Sequence, residues 1–185
     1  MKNKKLLKNF ILAALFAAMS ATISYFIKIP LPNGYIHPGD AVIYLCACLL
    51  PAPVAMFSAG IGGALADFFG GYPLYMLPSF VVKALIVLCF SNRTKKLLCK
   101  RNVTGTVFAG IITVTLYYIT DVFVTAISTS ANFAEFTERL GKASLWIVSA
   151  YYAPANLIQA VVSAIIFVLV ALALDKSKIK SLLRK

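Results

Sequence analysis

Long apolar runs, broken by short stretches rich in proline, glycine or charge, make up most of this chain of 185 residues. The first covers about residues 6–27, and some 22 residues at about 1.5 Å per residue cross roughly 30 Å of hydrocarbon. Its basic start and Ala18-Met19-Ser20-Ala21 mimic a secretory signal, but the apolar stretch continues and more follow, so it is read as a retained helix. Two prolines and a glycine in Lys28-Ile29-Pro30-Leu31-Pro32-Asn33-Gly34 forbid helix and open a polar loop that runs to Pro38. Five further spans are predicted at about 39–50, 54–69, 77–91, 103–127 and 144–174. Pro51-Ala52-Pro53 and Gly70-Gly71-Tyr72-Pro73 supply two of the breaks, and residues 128–142 form the longest loop outside the basic clusters. The expectation is an all-α membrane protein, one domain over 1–185, built as a six-transmembrane-helix bundle without internal repeats.

Composition agrees with that pattern. The chain is 61% hydrophobic and 13% charged, where a soluble domain averages roughly 45–50% and about 25%. So much apolar surface exceeds what one small soluble core can hide, and the same numbers exclude disorder. A net charge of +12 resembles a nucleic-acid signature until the charges are located. Fourteen of the 18 basic residues fall into three clusters: Lys2, Lys4, Lys5 and Lys8; Arg93, Lys95, Lys96, Lys100 and Arg101; and Lys176, Lys178, Lys180, Arg184 and Lys185. Each abuts an apolar run, the positive-inside pattern, which also suits anionic lipid head groups. The central cluster follows the fourth span, so all three share the cytoplasmic side and both termini are inside. Cys46, Cys48, Cys89 and Cys99 lack a histidine partner or a useful spacing, and packing accounts for them.

Ionisable and amide groups inside apolar segments are costly, so they mark candidate chemistry. Asp40 opens the second span and reads as a helix N-cap. Asp67 lies near the end of the third span, where the helix dipole disfavours an anion, and Lys83 lies at a matching depth on the fourth. An Asp67–Lys83 ion pair follows, either structural or beside a ligand. Asp121 on the fifth span has Tyr117 and Tyr118 one turn earlier on its side. On the sixth, Tyr152, Asn156 and Gln159 share one face, and Pro154 predicts a kink. Facing each other, these two faces form a pocket with rings to stack a flat ligand and polar groups to fix its edge. Trp146 adds a further ring. The bland reading is interhelical hydrogen bonding with interfacial tyrosines. Asn132 followed by Glu135, with Gly141 beyond, predicts a short helix in the 128–142 loop, a lid or an interfacial segment.

Small residues mark a second face. In the first span Ala13, Ala17 and Ala21 repeat every four residues, as do Ala14, Ala18 and Thr22, which permits close helix approach. The chain has no phosphate-binding loop, no His-Glu-x-x-His and a single histidine, His37, so neither ATP hydrolysis nor a metalloprotease is expected and no cofactor or metal is implied.

Four segments carry a family resemblance: Gly34-Tyr35-Ile36-His37-Pro38-Gly39-Asp40-Ala41-Val42-Ile43-Tyr44; Gly60-Ile61-Gly62-Gly63-Ala64-Leu65-Ala66-Asp67 with Gly71-Tyr72; Ser79-Phe80-Val81-Val82-Lys83-Ala84-Leu85; and Pro154-Ala155-Asn156-Leu157-Ile158-Gln159. Together they resemble the S components of energy-coupling factor (ECF) transporters. The resemblance implies a multi-pass subunit of a bacterial or archaeal plasma membrane that binds a small vitamin from outside. It also implies partners: a transmembrane coupling subunit and two ATPase subunits, with the alanines Ala13, Ala14, Ala17 and Ala18 docking in one of two registers. The branch looks closest to carriers of hydroxymethylpyrimidine or pyridoxine, with riboflavin, pantothenate and queuosine-precursor carriers as alternatives. Ligand contacts are expected from Asp121, Asn156, Tyr117, Tyr152, Trp146, Lys83 and Gln159. The competing classes are an intramembrane enzyme using Asp40, Asp67 or Asp121, and a structural scaffold.

Overall fold

A computed structural model describes residues 2–31, 34–178 and 180–181. Pro32 and Asn33 of the first loop, and Arg184 and Lys185 of the last basic cluster, lie outside the described residues. Helix α1 (Lys2–Phe26) leads into a hairpin of β1 (Ile29–Leu31) and β2 (Gly34–Ile36). The strands pair antiparallel, with Ile29 opposite Ile36 and Pro30 opposite Tyr35. Helices α2 (Asp40–Leu49), α3 (Ala52–Gly70) and α4 (Met76–Ile86) follow. Then come α5 (Lys100–Thr129), α6 (Phe133–Leu140), α7 (Ala143–Ala150) and α8 (Ala153–Lys176). One-turn 3₁₀ segments at Pro73–Tyr75 and Val87–Cys89 flank α4. Among the described residues four helical stretches are long and apolar enough to cross a membrane: Asn3–Phe26, Ala52–Gly70, Lys100–Thr129 and Ala143–Lys176. Asp40–Leu49 and Pro73–Cys89 are shorter apolar helices.

Helix α2 is the centre of the molecule. Residues Asp40 to Cys48 are all buried, and α2 packs on α1, α3 and α8 while α1, α3, α4, α5 and α8 contact one another in that order around it. Tyr44 stacks on Phe90 at 4.8 Å between ring centroids and meets Phe167 edge-on at 6.0 Å. Outward-facing Leu7, Phe10, Phe57, Phe108 and Leu169 are exposed apolar side chains, as lipid-facing positions must be.

Glycine sets two close approaches. A Cβ on Gly62 would stand 3.0 Å from the Ala17 carbonyl oxygen, and one on Gly63 would stand 2.7 Å from Lys83 Cγ. Helix α3 therefore touches α1 and α4 at van der Waals distance. It ends at Gly71, whose φ of +86° lets Tyr72 N–H donate to Asp67 O at 2.9 Å.

The sixth predicted span, the stretch Ala143–Lys176, is interrupted beside Pro154, where two turn residues with helical backbone angles separate α7 from α8. Pro154 has no N–H and its ring clashes with the carbonyl four residues earlier, which is Ala150. Helix α7 ends there, Tyr151 and Tyr152 form a turn, and Pro154 occupies the first turn of α8, where its missing donor costs nothing.

At one end of the bundle the basic clusters converge. The Asp175 carboxylate accepts from Leu97 N–H and Leu98 N–H at 2.8 and 2.9 Å, and Lys180 Nζ donates to Thr94 Oγ1 at 3.2 Å. Buried Asn102 accepts from Ser91 N–H and donates to Leu97 O, closing the loop between α4 and α5. Phe10 and Pro53 line one groove, which brings the start of α1 to the same end.

Candidate ligand-binding cleft

The hairpin end of the bundle holds a small polar cleft of about 50 Å³ that opens to solvent. The hairpin contributes Leu31, Tyr35 and His37, and the end of α3 contributes Asp67. Tyr72 and Tyr75 come from the turn before α4, Tyr117 and Asp121 from α5, and Tyr152, Ala155, Asn156 and Gln159 from the start of α8. Helical spacing places Tyr117 one turn below Asp121, and Gln159 one turn below Asn156, so two faces meet across the opening. Five tyrosine rings and two carboxylates thus surround one space.

Each carboxylate is held by a phenol. Tyr35 OH donates to Asp67 Oδ1 at 2.9 Å, and Tyr75 OH donates to Asp121 Oδ1 at 2.8 Å. Burial, then the charge of Asp67, pushes the Tyr35 phenol far above its usual range, so it remains a neutral donor. The Tyr35 ring lies 5.4 Å from both His37 and Tyr72. Ser79 Oγ and Tyr117 OH lie 2.7 Å apart in the wall.

Beneath this layer is a buried ionic network. Lys83 Nζ meets Asp40 Oδ1 at 2.7 Å, with both side chains almost fully buried at 1% and 0% exposure. Lys83 Nζ also lies 5.0 Å over the Tyr117 ring. Gln159 Nε2 donates to Asp40 Oδ2 at 3.0 Å, and His37 N–H donates to Gln159 Oε1 at 3.1 Å. The network ties the hairpin, α8, α2 and α4 together, and is the floor of the cleft.

Several expectations are corrected here. Lys83 pairs with Asp40 rather than Asp67, because α2 occupies the interior and brings Asp40 against α4. Asp40 makes no cap bond; Gly39 is the N-cap residue, and the carboxylate turns to Lys83 and Gln159. Lys83 lies under the cleft and does not line it. Trp146 is also absent from the lining: its Nε1–H donates to Leu140 O at 2.9 Å, and its ring lies 6.0 Å from Tyr118. Tyr118 leaves Asp121 and donates to Trp146 O at 3.3 Å. Helix α6 forms as expected, with Asn132 Oδ1 accepting from Glu135 N–H at 2.9 Å. It contributes nothing to the cleft wall; it packs on α5 and α7.

Asp121, Asn156, Tyr117, Tyr152 and Gln159 do lie together on the cleft. Sequence reasoning holds the outer loops Tyr35–His37 and Tyr72–Tyr75 as a fallback site, and here Tyr35, His37, Tyr72 and Tyr75 line the same cleft as the helical residues. Apolar residues on either side of Asn33-Gly34 are a hairpin signal that predicts the first of these placements. The helix-1 alanines divide by face. Ala17 and Ala21 are buried, and Ser58 Oγ–H donates to Ala13 O at 2.6 Å. Ala14 and Ala18 are exposed beside an apolar groove between α1 and α3 that Phe10, Phe57, Ile61 and Leu65 complete. Among the described residues no cluster of His, Cys, Asp or Glu can hold a metal ion, and Cys46, Cys48, Cys89 and Cys99 are free.

Comparison with known proteins agrees with this architecture. The solved structure of the S component of a bacterial ECF transporter superposes with a TM-score of 0.66 at 21% identity, covering 95% of this chain and 98% of that one. An uncharacterised protein of Pyrococcus woesei, from the gap 3′ region, is 40% identical over 96 residues, 49% of this chain. That match spans 63% of the relative's own length. The model of the family described as ECF-type riboflavin transporter, S component, matches residues 4–176. A helical membrane fold with a polar cleft at one end and a family match over nearly its whole length make this chain a member of the ECF-type riboflavin transporter S component family.

Proposed function

We propose that this subunit captures a small, flat heteroaromatic vitamin or precursor at the hairpin end of the bundle, with hydroxymethylpyrimidine or pyridoxine as the ligand class. The single observation that carries the reading is the cleft itself: five tyrosine rings for stacking and two carboxylates to accept from ring-edge donors, around Asn156 and Gln159. Asp121 and Asn156 fix the edge of the ligand, and Tyr117 and Tyr152 stack on its faces. Lys83 acts from below, through Asp40 and Gln159. Riboflavin, named in the description of the matching family, is the alternative ligand.

The chain is one membrane domain of six spans with both termini cytoplasmic, in a bacterial or archaeal plasma membrane. The convergence of the basic clusters at the end away from the cleft supports that orientation. Ala14 and Ala18, exposed on α1, dock a transmembrane coupling subunit, and two ATPase subunits drive delivery inward. Purification without added ligand, followed by mass spectrometry of what co-purifies, tests the ligand class. A bound pyrimidine or pyridine vitamin is expected; a bound lipid or non-aromatic metabolite contradicts the proposal.

A further inference from the structure

The hydrogen-bond polarity of the cleft floor follows from its partners. A glutamine amide offers two N–H donors and one acceptor oxygen, and which end is which must be read from its neighbours. Both neighbours of Gln159 are unambiguous. His37 N–H is a backbone donor, so the atom it meets at 3.1 Å is Oε1. Asp40, paired with Lys83, is an acceptor, so the atom it meets at 3.0 Å is Nε2. The oxygen and one N–H are therefore oriented by the protein, and the donor left to the cleft is the second N–H.

His37 is fixed in the same way. Gly39 N–H, again a backbone donor, points to Nδ1 at 3.1 Å, and Ser24 Oγ lies 2.9 Å from the same atom. Nδ1 is therefore the unprotonated nitrogen, Ser24 donates to it, and the ring proton resides on Nε2. His37 lines the cleft, and that N–H is what it has to give. Across the opening Asp67 and Asp121 have one oxygen each held by a tyrosine phenol, and an ionised carboxylate can only accept.

We infer that Gln159 and His37 are fixed hydrogen-bond donors that determine specificity, so that the ligand presents acceptor atoms, ring nitrogens or carbonyl oxygens, to α8 and the hairpin, and its own donors to Asp67 and Asp121. The inference rests on the proposed heteroaromatic ligand and adds its pattern: an acceptor edge and a donor edge on one flat ring. A ring with donors alone leaves two buried N–H groups without partners, which is costly.

His37 is the single histidine in the chain, so protein labelled with ¹⁵N-histidine gives one imidazole. Long-range ¹H–¹⁵N correlation is expected to show the neutral Nε2–H form before any ligand is added; an Nδ1–H form overturns the assignment. In parallel, wild type and Gln159→Met are titrated with hydroxymethylpyrimidine and with its two analogues in which one ring nitrogen becomes C–H. One replacement is expected to weaken wild-type binding by about tenfold or more, and to cost Gln159→Met nothing further. An equal loss in both proteins, or no loss in wild type, overturns the role of Gln159. If wild type binds none of hydroxymethylpyrimidine, pyridoxine and riboflavin, the proposed function fails, and the imidazole measurement still decides the donor assignment.

Discussion

At the scale of single residues, the stability of the cleft floor depends on two groups that water would otherwise hold. Removing one partner of a buried ion pair leaves the other uncompensated, which costs about 3–5 kcal/mol. Lys83→Met alone is therefore expected to lower unfolding stability by that amount. Asp40→Asn combined with Lys83→Met is expected to recover most of it, because the asparagine oxygen still accepts from Gln159. Thermal melts of the three proteins in detergent check this. His37 carries a pH dependence. Burial, the largest cause, lowers its pKa from 6.5 to about 4; Lys83 adds to the shift and Asp40 opposes it. A proton binds the unfolded chain more readily than the folded one, so stability is complete above about pH 6.5 and falls as pH drops toward 4. His37→Gln is expected to flatten that decline in melts recorded from pH 7.5 to 4.5. The mistaken Asp67–Lys83 pair shows why such networks resist sequence reading. Depth along neighbouring helices was matched, but nothing in the apolar pattern said that the ten-residue α2 runs through the middle and delivers Asp40 to Lys83 first.

At the scale of elements, hydrophobic runs mark the helices well because lipid and core both demand apolar length, and the breaks at Pro51–Pro53 and Gly70–Pro73 coincide with real chain reversals. The hairpin was less legible. Three-residue strands are too short for an alternation signal to emerge, and Tyr35 and His37 acquire their roles only from Asp67 and Gln159, 32 and 122 residues away. Helix α1 shows the same limit in another form: both alanine registers fit the small-residue pattern, and only the packing of α3 separates them. Ala17 is 6% exposed and faces Gly62, whereas Ala14 and Ala18 are exposed. Ala17→Leu is expected to overpack that contact and cost about 1–3 kcal/mol of stability, read as a lower melting temperature. Ala14→Trp and Ala18→Trp are expected to leave ligand titrations unchanged while abolishing vitamin uptake in cells. Loss of binding in the tryptophan variants would assign that face to internal packing instead.

At the scale of the whole molecule, the cleft and the basic clusters occupy opposite ends of one bundle. Reporter fusions at Lys96 and Lys180 are expected to read cytoplasmic and a fusion at Ala134 external; an external Lys96 would reverse the orientation. Such a bundle has a clear division of labour. The apolar exterior holds it in lipid, α2 fills its centre, and the hairpin end gathers aromatic and acidic side chains from four stretches that are remote in sequence. That convergence is the central claim, and calorimetric titration of the co-purified vitamin into wild type, Asn156→Ala and Asp121→Asn tests it most directly. Loss of one partner to a buried ligand group predicts weaker binding by about 1–3 kcal/mol for Asn156→Ala, with a larger loss for Asp121→Asn if the ligand donates there. Wild-type affinity in both variants would contradict the account and remove the cleft from ligand recognition.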